Sequence, residues 1–413
     1  MSAAAIVDGV HAVFPRSHER SGGIDAISFD LVANAFYFLS SWSERVAIDA
    51  AQTRRVFQDS VFARLGVPQD IVDRYLDRLL EALHAVRSRT GCAPWPPVEW
   101  PGNNRFAVVL SHDVDFLPSG LGDTLVQGAK TAARHLVRQR SFGDMVRSIS
   151  GLGRALLRGR DPYGCIPEII ARERELGVRS SFQVAVGHRH PSDVNYRIED
   201  DRVRDYLRAI PESGFDLCLH GSYRSVENPD WYTEEVQLLS RRLGTPTGSR
   251  QHFLSFGYDA LFAVQERSGI RFDMSMGFPD RIGARAGFSY PYFPYCFDED
   301  RPYDVLEISL FLMDVTLRSY MDLGARDAKG VIDLALRNLR DRGGAASVVW
   351  HPIVFGGARD PGYDELYWHL VAEVARLQGL ATDGATIDRF WRDRASSYPT
   401  FKCSRVGVAA AAA

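Results

Sequence analysis

Ser111-His112-Asp113-Val114-Asp115 follows directly on Phe106-Ala-Val-Val-Leu110. Five apolar residues in a row read as a strand buried on both faces, and such a strand would not end in two carboxylates for the sake of packing. Side chains alternate along a strand, so Ser111, Asp113 and Asp115 share one face while His112 and Val114 take the other. Two carboxylates on one face repel unless a cation or a shared proton holds them. Asp is also common in caps and turns after strands, which is the plainer reading of the cluster. The histidines favour chemistry. Of the eleven, His188, His190, His220, His252 and His351 lie at or just past the end of an apolar strand pattern, which one shared site would explain. Asp115 and His220 together offer hard oxygen and imidazole nitrogen, a set suited to Zn²⁺ or a similar divalent ion. Such an ion lowers the pKa of bound water toward about 7 and polarises a carbonyl. Asp113 is placed to take the proton of that water and His351 to protonate a leaving group, so the reaction class is hydrolysis of an amide or ester. No Ser sits in a GxSxG elbow and no Cys has a paired motif, which argues against a covalent acyl-enzyme.

The elements that must position these groups are short. Strand patterns cover Phe106–Leu110, Ser180–Val186, Phe215–Leu219, Ser249–Phe253, Val305–Ile308 and Ala346–Trp350. Helical patterns fall between them near 166–176, 200–212, 230–243, 258–268, 327–341 and 361–378. Repeated βα units imply a parallel sheet, open or closed into a barrel. Such sheets carry functional groups at the carboxyl ends of their strands, where the five histidines and both aspartates stand. Before this domain, Leu31, Ala35, Phe38 and Trp42 mark one helix face within Phe29–Trp42, and Ile71, Tyr75, Leu79, Leu83 and Val86 mark a second. Residues 1–89 read as a helical accessory region. Residues 90–104, with Pro94, Pro96, Pro97 and Pro101, read as a linker or strap, and the barrel is expected over 105–400.

Composition sets wide bounds. The 413 residues are 45% hydrophobic and 24% charged, as in an ordinary globular protein large enough for a barrel and an accessory region. The net charge of -3 gives no reason to expect a nucleic-acid partner. Cys92, Cys165, Cys218, Cys296 and Cys403 are scattered and odd in number, so neither a disulfide framework nor a thiolate zinc site is expected. No stretch approaches the roughly 18 apolar residues of a membrane span, and the first residues lack a basic segment followed by an apolar run, so the cytoplasm is the expected location. The segment 120–164 breaks the βα pattern and is basic: Lys130, Arg134, Arg138, Arg140, Arg147, Arg154, Arg158 and Arg160 stand against Asp123, Asp144 and Asp161. Leu125, Ala132, Leu136, Val146, Leu152 and Leu156 interleave with them. This is either a basic amphipathic lid that meets a membrane surface or a phosphate-bearing substrate, or a solvated helical excursion over the barrel.

The order of these motifs resembles a known family. Ser-His-Asp-Val-Asp at 111–115, Leu219-His220-Gly-Ser-Tyr-Arg-Ser225, Arg250-Gln-His252-Phe and Trp350-His351-Pro352 are similar to the motifs of the polysaccharide deacetylases, the NodB-homology group or carbohydrate esterase family four. The segment before the barrel resembles that of a bacterial subgroup with an HDVD motif. The resemblance spans roughly 105–394 and implies an α/β fold, a distorted (β/α) barrel of about seven strands. It implies removal of an N-acetyl group from a sugar or polysaccharide precursor, with Asp113 as base, Asp115 and His220 as metal ligands, Arg250 paired to the base and His351 as acid. Asp273 matches the acidic group that orients that histidine. Family relatives that resemble allantoinases imply hydrolysis of a non-sugar C–N bond as an alternative, and a catalytically silent carbohydrate-binding member is a third reading.

One position departs from the family pattern. Where a second metal-binding histidine usually stands there is Arg224, which stays protonated and cannot ligate. His252 is the substitute expected, since it shares a strand face with Arg250; His188 and His190 compete with it. His112, facing away from Asp113, reads as a packed histidine. His11, His18, His84, His135 and His369 read as surface groups. Tyr290-Pro-Tyr-Phe-Pro-Tyr295 reads equally as a sugar-stacking loop or as a strap closing the barrel.

Overall fold

The computed structural model describes residues 4–397 except 8, 16–26, 28, 46–55, 95, 138–139, 160 and 164. His18, Arg138, Arg160, Cys403 and the last residues of the 105–400 span therefore lie outside the described residues.

Nine parallel strands form the main sheet: β1 (Phe106–Val114), β2 (Ser181–Ala185), β3 (Asp216–Gly221), β4 (Gly248–Gln251), β5 (Phe272–Asp273), β6 (Leu306–Glu307), β7 (Leu310–Met313), β8 (Ala345–Val349) and β9 (Gly379–Thr382). Strands β1 to β5 are neighbours in chain order. The segment 306–313 closes the sheet, pairing by its first half with β5 and by its second half with β8, which returns to β1. The break between the two halves is a change of partner: Ile308 N donates to Asp273 O, and Ser347 N donates to Ser309 O. β9 pairs with residues 106–109 of β1 while β2 pairs with 111–114, so β9 and β2 divide one edge of β1. The result is a distorted (β/α) barrel with helices outside.

All nine residues of β1 are buried, including its polar end. Phe106, Val108 and Leu110 pack toward helices Ala325–Arg342 and Tyr363–Arg376, while Ala107 and Val109 lie in the barrel's own interior with Phe272, Leu306 and Ile308. Alternation along one strand thus serves two cores. β5, β7 and β9 escape the sequence reading, β5 because two residues are too short to show a period, β7 because it continues an apolar run and β9 because Gly379-Leu-Ala-Thr382 shows no alternation. The segment 120–164 is two antiparallel helices, α1 (Leu121–Val137) and α2 (Phe142–Leu157).

Before the barrel lie a short antiparallel hairpin and the helices Leu31–Leu39 and Ile71–Arg89. Buried residues of this region, among them Phe38, Ile71, Tyr75 and Phe62 of the short helix Val61–Leu65, share a core with Phe278 of the barrel. Asp73 accepts from Ser289 N (3.0 Å) and Ser289 Oγ (2.6 Å), and Glu44 pairs with Arg285. The aromatic run 290–295 is a strap: Tyr290 OH donates to Arg342 O, and the Tyr292 and Glu307 backbones pair. Tyr290 and Tyr292 are thereby tied to the barrel, as the strap reading expects. His135 is a correction too. It is buried, with Nε2 2.8 Å from Arg359 O.

Candidate metal centre and hydrolytic site

The carboxyl ends of β1, β3, β4, β7 and β8 open into one cavity of about 550 Å³. Asp113, Asp115, His220, His252 and His351 line it together with Tyr223, Phe253, Tyr320 and Arg359. Alternation explains β1. Arg250 Nη1 reaches both Ser111 Oγ (2.9 Å) and Asp113 Oδ1 (2.6 Å), so these two residues do share a face. His112 points outward, with Nδ1 2.7 Å from Trp350 O and Nε2 3.0 Å from Glu173, whose carboxylate also accepts from Tyr367. It ties β1 to the segment that carries His351 and ligates nothing in the site.

Asp115, His220 and His252 gather their ligand atoms within 4.8 Å of one another. His220 Nε2 lies 3.1 Å and His252 Nε2 3.7 Å from Asp115 Oδ1. Ligands about 2.0–2.1 Å from a tetrahedral Zn²⁺ are spaced about 3.3 Å apart, so these distances suit the edges of such a site. Two further observations fit a cation. Asp115 Oδ1 is buried and, apart from the imidazole nitrogen of His220, has no hydrogen-bond partner among the described residues, although polar atoms so placed are nearly always satisfied. His220 Nδ1 is 3.0 Å from Arg250 O, which makes Nδ1 the donor there and leaves Nε2 facing Asp115. Burial, the largest influence on His252, lowers its pKa, so its imidazole is kept neutral and able to ligate. Asp115 is held well below the usual carboxylate range. Burial opposes this, but His252 and the contacts from His220 and His351 outweigh it.

Asp113 is likewise lowered, because Arg250 first, then His220 and His351, overcome the effect of burial. Its free Oδ2 is 4.0 Å from His220 Nε2, at the edge of the candidate ion site. His351 Nε2 faces the same space, 3.4 Å from Asp115 Oδ2. Its Nδ1 is 2.7 Å from Asp314 Oδ1, and its backbone N donates to Asp314 Oδ2. Although burial opposes it, Asp314 and then Asp115 raise the His351 pKa well above the ordinary value.

The carboxylate behind His351 is therefore Asp314, and the expectation for Asp273 is corrected. Asp273 is buried one strand away, where it accepts from Gln265 Nε2 (2.6 Å) and from Ser275 N and Oγ. No residue of the two-residue β5 lines the cavity, whereas β7 leads into Met313 and Val315, which do and which flank Asp314. A sequence signal existed, since Leu310-Phe-Leu-Met313-Asp314 is another apolar run ending in a carboxylate.

Arg224 is exposed beside Glu227 and stays out of the cluster. His188 and His190 are also absent from it, and His190 stacks on Tyr223 instead. His252 is turned inward by an unusual corner. Phe253 and Leu254 both adopt left-handed backbone angles, φ 56° and 53°, which cost non-glycine residues about 1–3 kcal/mol each and recur at functional sites. A second group, Asp333, His369 and Glu373, also has ligand-like spacing. Its charges are already answered by Lys329 and Arg376, which makes it a surface ion-pair network.

No family model matches the chain, and no curated protein does. Among solved structures, one assigned as a polysaccharide deacetylase of Mycobacterium smegmatis is similar at a TM-score of 0.49 and 19% identity, covering 73% of this chain and 96% of that one. The PuuE allantoinase gives 0.48 and 15%, over 72% and 94%. One assigned as a polysaccharide deacetylase of Pseudomonas aeruginosa PAO1 gives 0.48 and 13%, over 72% and 95%. With these three TM-scores below 0.5, the chemistry of the site rests on its own residues.

Proposed function

We propose that this chain is a metal-dependent hydrolase that removes the N-acetyl group from a sugar or polysaccharide precursor. One observation carries the reading: a buried Asp115 oxygen faces two imidazole nitrogens at ligand-like spacing, with a separate base and acid beside it. A divalent ion, with Zn²⁺ the best fit to one oxygen and two nitrogens, would be held by Asp115, His220 and His252 and would supply water activation and a Lewis acid for the acetyl carbonyl. Asp113, oriented by Arg250, accepts the proton of the attacking water as its oxygen adds to the carbonyl carbon. His351, held by Asp314, donates its Nε2 proton to the amide nitrogen as the C–N bond breaks, leaving acetate and the free amine. Asp113 and His351 thus divide the two proton transfers, and no covalent intermediate is needed. The motif order 111–115, 220–225, 250–253 and 350–352 supports the sugar-deacetylase assignment within this reaction class.

Metal analysis of the purified chain is the first test. Stoichiometric metal is expected, lost in both Asp115→Ala and His252→Ala; a parent chain that binds none is a silent carbohydrate-binding protein. Acetate release from N-acetylglucosamine oligomers is the second. Ring opening of a cyclic ureide without acetate release would move the substrate to a non-sugar C–N bond.

A further inference from the structure

The helical pair α1–α2 is built inside out. On α1 the buried positions are Thr124, Gly128, Thr131 and His135, spaced three or four residues apart. Leu121, Leu125, Val126, Leu136 and Val137 are exposed instead, Val137 at 73%. α2 repeats the pattern, burying Ser148 and Gly151 while Phe142, Val146, Ile149 and Leu157 face outward. Phe142 is 67% exposed and Leu157 90%. A helix lying on a soluble domain normally turns its apolar stripe inward and its polar residues out. Here small and polar residues, with Leu152 of α2, make the inward contact, and most of the other large apolar groups face outward. A contiguous exposed face of this kind marks an interaction surface.

Charge identifies what covers it. Arg147, Arg154 and Arg158 recur at seven and four residues along one side of α2, where Arg154 and Arg158 border the groove that Asp161 and Glu168 also line, and α1 adds exposed Lys130. Arg154 and Arg158 are exposed and form no salt bridge among the described residues, although Asp161 and Glu168 line the same groove. Asp144 is consumed by Arg147 and Arg318, which leaves Asp123 and Asp161 as the exposed acids of the excursion. A second copy of the chain meeting this face about a two-fold axis would bring like charges together. An anionic lipid surface offers apolar chains and phosphates side by side, which matches both features.

We infer that α1–α2 docks the protein on an anionic bilayer, with the leucine, valine and Phe142 side chains entering the headgroup boundary and the arginines meeting lipid phosphates. The inner side of the pair is fixed to the barrel close to the site. Arg134 pairs with Asp360 (2.6 Å), His135 meets Arg359 O, and Ser148 Oγ donates to Ala358 O. Arg359 lines the cavity. Docking therefore holds the hydrolytic site one loop away from the lipid surface.

Flotation of the full chain with vesicles tests this without reference to catalysis. Vesicles of phosphatidylcholine with about 30% phosphatidylglycerol should carry the protein at low salt, while phosphatidylcholine alone should carry little. The triple variant Phe142→Ser, Ile149→Ser, Leu157→Ser and the double variant Arg154→Glu, Arg158→Glu should each weaken partitioning by about tenfold or more. All five side chains are exposed, so circular dichroism and Tm should match the parent. A parent chain that stays with the pellet, or variants that float as well as the parent, would overturn the inference. So would a parent dimer dissociated by the serine variant without vesicle binding, which would assign the face to a second copy. Failure of the deacetylase reading would show in the acetate assay and leave flotation unchanged.

Discussion

Asp113 and His351 hold opposite charges in one cavity, and each owes its state to the partner behind it. Arg250 keeps Asp113 ionised in spite of burial, and Asp314 keeps the His351 proton in place. Asp113→Asn retains an oxygen that can accept from Arg250 but cannot take a proton. It should lower kcat by about 10²–10⁴ with the metal content intact. Loss of metal in that variant would instead make Asp113 a ligand. Asp314→Asn removes the charge that raises the His351 pKa, so the imidazolium should give up its proton at a lower pH. The alkaline limb of the kcat profile should shift toward acid with KM little changed; an unmoved limb would leave Asp314 without a role in the acid. The sequence pairs Asp113 with Asp115 by alternation alone, because both lie on one strand. It pairs His351 with Asp273 only by motif likeness. The actual partner, Asp314, comes from a strand whose neighbour in space is β8 and whose neighbour in sequence is β6, and no local pattern records that exchange.

At the scale of elements, glycine decides how the excursion meets the barrel. A Cβ built on Gly151 would stand 2.5 Å from Gly357 O, a backbone atom that cannot rotate away. Gly151→Ala should therefore push α2 off the loop 356–360 and lower stability by about 1–3 kcal/mol. Denaturant midpoints would show it, and an unchanged midpoint would mean that the contact is loose. The helical spacing and basic character of 120–164 were readable from residue order. Which face turns inward was not. Of the apolar residues that interleave with the charges, Leu125, Leu136 and Val146 are exposed, while Thr131 and Ser148 are buried. Helical period gives a stripe but not its neighbour, and here small inward residues let the helices approach the loop backbone closely.

For the molecule as a whole, the region before the barrel is joined to it through buried polar contacts. Burial, the largest influence on Asp73, raises its pKa from 3.8 to about 6, although Ser289 donates to it twice. The folded chain thus binds this proton more tightly than the unfolded chain. Its contribution to stability is present below pH about 4 and is lost as pH rises through about 6. The loss is at most about 3 kcal/mol. Asp73→Asn keeps the acceptor for Ser289 and should flatten that part of the stability–pH curve; an unchanged slope between pH 4 and 6 would show that Asp73 ionises freely. Residue order determined the βα alternation, the strand ends that carry Asp113, Asp115, His220 and His351, and the positions of most helices. Period and strand polarity are local properties, so local sequence records them. Only the tertiary structure decided that 306–313 closes the barrel, that Asp314 backs His351, that His252 rather than His188 or His190 joins Asp115, and that α1–α2 present their apolar sides outward. Each of these depends on which distant segments become neighbours when the sheet curls shut, a relation that side-chain spacing along one strand or helix does not contain.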